Sequence, residues 1–259
     1  MRPLLHRPNR NGGSPTKRLI LRARRGIETT MSEQIMNGCE ISLAGTQLIA
    51  LGTGALHWPA HQMLIVSDLH LGKSERIARR SGGMLPPYET RDTLTRLEAD
   101  INATGARSVV CLGDSFDDLR AAESLTDDER LWITRLQAGR QWVWIEGNHD
   151  PGPVEFGGSH LAELPLSPLV LRHIAKPIAS GEVSGHYHPK VSLPARGRVI
   201  SRPAFLLDKS RLIMPSYGTY TGGLRADDPV FARLMEPDAH AIMLGPKPQR
   251  LPLRLSGRR

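Results

Sequence analysis

Residues 63–72 read MLIVSDLHLG, a four-residue apolar run followed at once by a polar cluster that contains Asp68 and His70. The same arrangement recurs three times, as SVVCLGDSFDD at 108–118, WVWIEGNHD at 142–150 and EVSGHYHP at 182–189. Short apolar runs of this kind predict buried strands. Each polar cluster then follows the carboxyl end of a strand, which is where open α/β sheets place their functional sites.

Helical stretches separate the predicted strands. Leu94, Leu97 and Ile101 recur at helical spacing and Gly105 follows them as a stop signal, which predicts a helix near residues 89–104. Further along the chain, residues 126–129 read TDDE, the signature of a capping box, and predict a helix that continues through residue 136. Strands that alternate with helices in this way predict an α/β fold.

Composition limits the class of protein. The chain has 259 residues and is 39% hydrophobic, which is enough for one large domain, or two small ones, with a sizeable core. Its two cysteines exclude a disulfide framework and a cysteine-based zinc site, and they favour a reducing, cytoplasmic location. No apolar run approaches the ~18 residues of a membrane span, so we expect no membrane partner.

The net charge of +8 is unevenly distributed. Residues 1–30 hold eight basic residues and one acidic residue, and residues 245–259 hold five basic residues and no acidic one, which leaves −4 for residues 31–244. We therefore expect a disordered basic extension or a misassigned start at 1–30, a globular domain at 31–250 and a basic tail at 251–259. The charge of the globular body does not by itself predict a nucleic-acid partner.

The four polar clusters contain aspartate, histidine and asparagine, whose oxygen and imidazole donors suit manganese, iron or zinc. Asp68 and His70 lie two residues apart, so in an extended segment both side chains would leave the same face. The pair His186 and His188 repeats this spacing directly after Gly185, which would let another backbone approach closely. Asp114 follows a glycine at a strand end, where its two carboxylate oxygens could bridge two cations.

The ordered set D-x-H, G-D-x-x-D, G-N-H-D and G-H-x-H resembles the calcineurin-like metallophosphoesterase superfamily. Within it, the stretches SDLHLGKS, LGDSFDD, EGNHDP and SGHYHP, and the later RPAF and IMPSYGTYTGGL, are similar to the ligase-associated DNA damage response endonucleases. This resemblance covers roughly residues 35 to 250. It implies a four-layer αββα sandwich with two mixed β-sheets and two divalent metal ions, with Mn²⁺ favoured and iron or zinc as alternatives.

The resemblance also implies roles for individual residues. One metal would be held by Asp68, His70, Asp114 and His188, and the second by Asp114, Asn148, His173 and His186. His149 would be the general acid for the leaving oxygen, and Asp150 would orient its ring. In one departure from the endonucleases, Asp117 stands where they often carry histidine, which leaves any substrate preference linked to that position open.

Four basic residues, Lys73, Arg76, Arg79 and Arg80, follow the first cluster directly. In a helix, Lys73, Arg76 and Arg80 would share one face beside the metals, where they could bind the phosphates that flank the reacting bond. A solvent-exposed helix face without a ligand is the alternative interpretation.

We therefore expect a metal-dependent phosphodiester hydrolase, and by resemblance a DNA repair endonuclease acting on single-stranded DNA. A link to a DNA ligase and a helicase rests on the resemblance alone. The first alternative is a phosphodiesterase or phosphatase that acts on small molecules with the same metals. A scaffold that has lost catalysis is disfavoured because every expected ligand is present, and a dedicated nucleic-acid binding module is disfavoured because no such motif is recognisable.

Overall fold

The computed structural model describes residues 38–83, 85–152, 155–195 and 197–253. The extension expected at 1–30 lies outside the described residues, as do residues 254–259 of the expected tail. The last strand, Gln249–Pro252, extends two residues beyond the expected end of the globular domain at residue 250.

The first of two sheets has seven strands that follow one another in chain order. The first four strands pair antiparallel and the last four, β4 to β7, pair parallel. The carboxyl ends of β4, β5 and β6 therefore meet at one edge, and the polar clusters at Asp68, Asp114 and Asn148 follow them there. The strands are β1 (Cys39–Leu43), β2 (Thr46–Ala50), β3 (Leu56–Trp58), β4 (Met63–Val66), β5 (Ser108–Leu112), β6 (Gln141–Ile145) and β7 (Ser159–Leu161).

The second sheet has eight strands, seven of them in the order β15-β14-β12-β13-β10-β9-β8, while β11 pairs with β12. Strands β9, β10 and β13 are parallel to one another, and the remaining pairs are antiparallel, so this sheet is also mixed. The strands are β8 (Glu163–Leu166), β9 (Leu169–Arg172), β10 (Glu182–Ser184), β11 (Lys190–Ala195), β12 (Arg198–Leu207), β13 (Arg211–Ile213), β14 (His240–Met243) and β15 (Gln249–Pro252).

The described residues form five α-helices, four of which place buried side chains in the outer layers of the sandwich, whereas the helix Lys73–Ser81 has none. They are α1 (Lys73–Ser81), α2 (Glu89–Thr104), α3 (Leu119–Ser124), α4 (Asp127–Gln137) and α5 (Pro229–Leu234). The predicted helix near 89–104 is confirmed as α2, which ends at Gly105 in the left-handed conformation. The predicted capping box is confirmed at the start of α4, where Thr126 and Glu129 each accept a hydrogen bond from the other's backbone N–H. Within the described parts of the chain, no helix is long and apolar enough to cross a membrane.

Alternation along β5 shows how the layers are held together. Val110 and Leu112 point into the central core between the sheets, where they meet residues such as Leu171 and Phe205 of the second sheet. Val109 and Cys111 point the other way and pack under α2 and α4. On the opposite side, α5 covers the second sheet through Phe231. The predicted αββα sandwich with two mixed sheets is confirmed.

We expect Leu171→Ala to lower the free energy of unfolding by about 2–5 kcal/mol, because this fully buried side chain joins the two sheets. Urea unfolding followed by circular dichroism would measure the change. Leu131→Ala is the matched control, since Leu131 is 60% exposed on α4 and its truncation should cost less than about 0.5 kcal/mol. Equal losses in the two variants would contradict a central core between the sheets.

Candidate metal centre

All seven metal ligands expected from the resemblance lie together at one edge of the sandwich. Asp68 and His70 follow β4, Asp114 follows β5 and Asn148 follows β6, whereas His173 follows β9 and His186 and His188 follow β10. Donor atoms of Asp68, His70 and His188 lie within 4.8 Å of one another, and so do those of Asp114, His173 and His186. The Asn148 Oδ1 atom lies 3.0 Å from His173 Nε2 in the second group.

The backbone places these side chains in a way that differs from the expected extended segments. Asp68 and His70 have φ values of 53° and 46°, and His186 and His188 have φ values of 70° and 46°. Asp114 lies in the same left-handed region with a φ of 45°. The extended geometry predicted for the two pairs is therefore wrong. Side chains two residues apart still converge, because each pair combines two left-handed turns instead of one pleated strand.

Close approach of backbone segments explains why glycines flank the ligands. A Cβ atom on Gly185 would overlap the Ser67 side chain and lie 2.5 Å from Asp68 Oδ2. The Gly185 position instead lets the His186 N–H donate to both Asp68 carboxylate oxygens, at 3.2 and 3.0 Å. The close approach expected at Gly185 is confirmed, and it fixes a carboxylate of the first sheet against a loop of the second.

The chemistry of the donor atoms fits a cation. The Nδ1 atom of His173 lies 2.8 Å from the Leu112 carbonyl, which assigns the ring proton to Nδ1 and leaves a lone pair on Nε2. That Nε2 atom faces Asn148 Oδ1 at 3.0 Å, His186 Nδ1 at 3.3 Å and Asp114 Oδ2 at 3.4 Å. Acceptor atoms that converge on one point in this way are stabilised by a proton on Nε2 or, in its place, by a divalent metal ion.

Electrostatics in both groups agree with this assignment. His188 Nε2 lies 3.0 Å from Asp68 Oδ1. Burial alone would raise the pKa of Asp68, but His188 and His173 hold it below its usual value. Burial alone would lower the pKa of His173, but the Asp114 and Asp68 carboxylates raise it to about 8. Positive charge is therefore favoured among these groups, and a bound metal ion would take the place of the proton.

His149 lies beside the two groups, partly exposed to solvent. Its backbone N–H donates to Asp114 Oδ1 at 2.8 Å, and its ring Nδ1 lies 2.8 Å from the Asp117 carbonyl. Asp150 does not contact this ring, because its Oδ2 atom accepts from the backbone N–H groups of Ser115 and Phe116. The prediction that Asp150 orients His149 is therefore wrong. Asp150 instead fixes the loop that carries Asp114.

The family model for calcineurin-like phosphoesterases matches residues 61–196, slightly more than half of the chain, and spans all seven converging ligands. The chain belongs to this family. It is therefore a metal-dependent phosphoesterase.

One similar solved structure agrees with this assignment. The crystal structure of the Pseudomonas putida nuclease MPE is 27% identical to this phosphoesterase, with a TM-score of 0.62, and the match covers 82% of this chain and 100% of that chain. A more remote similarity links it to Yfce, a phosphoesterase from E. coli, at 13% identity and a TM-score of 0.35, over 74% of this chain and 99% of that chain. No curated protein sequence matches the chain.

Asp117 links the candidate metal ligand His70 of this phosphoesterase to helix α1. Its fully buried carboxylate places Oδ1 2.8 Å from His70 Nδ1 and 3.5 Å from Lys73 Nζ, while Oδ2 pairs with Arg76 Nε. Burial by itself would raise the pKa of Asp117, but these three partners hold it well below its usual value. Asp117 therefore stays ionised and fixes the ring of His70 with its Nε2 atom toward Asp114.

The four basic residues do lie on one helix, α1, but all four face acidic partners. Lys73 and Arg76 pair with Asp117, and Arg79 and Arg80 pair with Asp118 at 2.8 and 3.5 Å. Arg80 is the most exposed of them, with 64% of its side chain accessible. Contact of Lys73, Arg76 and Arg80 with DNA stays a prediction. The charges of Lys73 and Arg76 are already compensated inside the protein.

Sequence reasoning missed the residues that support Asp68. Its carbonyl oxygen accepts from Gly218 N and from Ser216 Oγ, at 3.0 and 3.1 Å, and its carboxylate accepts from Ser67 Oγ. The segment around residue 217 is anchored in turn by Tyr217, whose hydroxyl donates to Asp100 of α2 at 2.9 Å. The resemblance marked the stretch IMPSYGTYTGGL, but nothing in its spacing indicates that it lies under the first cluster.

We expect Asp117→Asn to weaken Mn²⁺ binding about 10–100-fold, because the carboxylate that orients a ligating histidine is lost while its shape is kept. Isothermal titration calorimetry of the metal-free protein with Mn²⁺ would measure the change. Asp118→Asn is the matched control: the neighbouring carboxylate caps α3 and pairs with Arg79, and asparagine is an equally good cap. Unchanged Mn²⁺ affinity in Asp117→Asn would contradict the orienting role.

Proposed function

We propose that this phosphoesterase is a manganese-dependent endonuclease that cleaves single-stranded DNA during DNA repair in the cytoplasm. The observation that carries the proposal is the pair of ligand groups joined at Asp114, whose donor atoms are carboxylate, amide and imidazole with no thiolate. In this proposal Asp68, His70, Asp114 and His188 hold one metal. Asp114, Asn148, His173 and His186 hold the other.

The proposal of DNA as substrate is supported by the similarity to the Pseudomonas putida nuclease, which extends over the whole of that chain. The motifs that resemble ligase-associated endonucleases support a role in repair, together with a functional link to a ligase and a helicase. Mn²⁺ is favoured over iron and zinc by the same resemblance. Asp117, where those endonucleases often carry histidine, belongs to the contact with His70 and α1 and not to the open face of the site.

The chain's own residues supply the proton for the leaving oxygen and hold the candidate ligands in position. When bound, a pair of divalent cations polarises the phosphodiester and neutralises the charge that develops on its non-bridging oxygens. The ring of His149 donates from Nδ1 to the Asp117 carbonyl, so its imidazolium form carries a second proton on Nε2 for the leaving oxygen and returns to the neutral ring after transfer. The His149 backbone N–H also holds Asp114 in place. A single residue thus connects the acid to the carboxylate shared by both ligand groups.

Asp114→Ala should abolish cleavage of end-labelled single-stranded DNA, because it removes the ligand shared by both metals. The experiment compares the wild-type chain with Mn²⁺, the wild-type chain with a chelator, and the variant with Mn²⁺. Cutting only in the first sample is expected. Mn²⁺-dependent cutting by the variant at the wild-type rate would show that Asp114 is not required, and would contradict the mechanism.

Hydrolysis of a chromogenic phosphodiester under the same conditions separates the two candidate substrates. Intact DNA together with ester hydrolysis would overturn the endonuclease proposal in favour of an enzyme acting on small phosphate esters. In that case activity should depend little on salt, because few phosphates contact the protein.

His149→Ala should slow DNA cleavage about 100–10,000-fold, the usual contribution of a general acid. The same substitution should slow hydrolysis of bis(p-nitrophenyl) phosphate much less, because nitrophenolate leaves without a proton. Initial rates on both substrates, with the bound Mn²⁺ of the variant measured beside them, test this assignment. An equal loss on both substrates would show that His149 acts in binding or metal retention instead.

A further inference from the structure

The hairpin formed by β11 and β12 is a second basic surface that begins at the candidate metal centre. Strand β11 starts at Lys190, two residues after His188. Its backbone is fixed there, because Lys190 N donates to the Leu224 carbonyl and its own carbonyl accepts from Ala226 N, each at 2.8 Å. The Lys190 ammonium also donates to the Thr221 carbonyl at 3.3 Å. The base of the hairpin is therefore attached to the loops around the site.

From this base the hairpin extends away from the second sheet. Residues 204–207 of β12 pair with the neighbouring strands β13 and β14. Residues 198–203 have β11 as their strand partner, with one further hydrogen bond from Leu244 N to the Pro203 carbonyl at the base of the hairpin. Six residues of extended strand span about 20 Å. Exposure agrees with this projection, since 73% of Val199 and 43% of Ile200 are accessible. The outer part of the hairpin is exposed to solvent, whereas the rest of β12 packs against the core.

The charge of the hairpin has one sign. Residues 183–207 contain four basic residues, Lys190, Arg196, Arg198 and Arg202, and no acidic residue, although residues 31–244 as a whole carry −4. Arg198 and Arg202 are exposed, and within the described part of the chain neither forms an ion pair. This differs from α1, whose basic side chains all face Asp117, Glu75 or Asp118.

We propose that the β11–β12 hairpin is an arm that binds the phosphate backbone of the nucleic-acid strand cleaved at the metal centre. The proposal rests on the proposed function and adds the surface that holds the substrate. Uncompensated guanidinium groups on an exposed strand pair are complementary to a flexible polyanion, and they bind phosphates without regard to base sequence. The exposed Val199 and Ile200 between the arginines offer apolar contact to the sugars and bases of a single strand.

The test uses the full-length Arg198→Gln/Arg202→Gln variant with a long single-stranded oligonucleotide and with bis(p-nitrophenyl) phosphate. We expect KM for the oligonucleotide to rise about 10–30-fold at 0.1 M salt, because two phosphate contacts on a single strand are lost. The slope of log kcat/KM against log salt concentration should fall in magnitude by about 1.4. Hydrolysis of the small ester should be unchanged, which also shows that the variant is folded.

Arg107→Gln/Arg135→Gln is the matched control. It removes the same charge from exposed positions, and Arg107 precedes β5 at the end of the strand opposite Asp114. An equal change in KM for both double variants would contradict the proposed role of the hairpin, since the loss of net charge alone would explain the change. An unchanged KM in the hairpin variant, with wild-type cleavage intact, would also overturn it and would point to a protein partner. A wild-type chain that neither binds nor cuts the oligonucleotide would overturn the arm and the proposed function together.

Discussion

Lone pairs that face one another around Asp114 are the constraint on which this structure depends. One oxygen of Asp114 accepts from the His149 backbone, and the other lies 3.4 Å from His173 Nε2 and 4.0 Å from His70 Nε2. Such a cluster repels itself unless the protein holds it and a cation joins it. The two sheets provide that frame, because four of the ligands follow strands of one sheet and three follow strands of the other. The packing between the two sheets therefore also aligns the two sets of candidate ligands with each other.

Much of this arrangement is predictable from residue order. Each polar cluster follows an apolar run, and parallel strands bring such clusters to one edge, so the convergence of Asp68, Asp114 and Asn148 follows from the fold class. The backbone at the ligands is not predictable in this way. A spacing of two residues suits a pleated strand, but it also suits the paired left-handed turns found at His186 and His188. Only contacts between distant segments, such as the Gly185 loop on Asp68, decide between them.

Hydrogen-bond partners of individual side chains are harder to predict than the convergence of the candidate ligands. Asp150 stands next to His149 in the chain, yet its carboxylate accepts from Ser115 and Phe116, because neighbouring residues of a turn point in different directions. The basic residues of α1 suggested a surface for phosphates, whereas two of them stabilise Asp117. Composition cannot distinguish a basic side chain that forms ion pairs within the protein from one that remains unpaired at the surface. The hairpin at residues 190–207 is the opposite case. Its positive charge is not visible in the net charge of residues 31–244, which is negative.

The left-handed backbone at five candidate ligands limits how this protein can be made more stable. Each such residue costs about 1–2 kcal/mol relative to an ordinary conformation, and a domain of this kind is stable by only about 5–15 kcal/mol. Glycine would relieve the strain at His70 or His188, but it would remove the imidazole. If these histidines hold metal as proposed, a gain in thermostability at these positions is therefore incompatible with activity. Selection for a more thermostable variant of this enzyme has to act at other positions. The five residues with left-handed backbone are the ones that it has to leave unchanged.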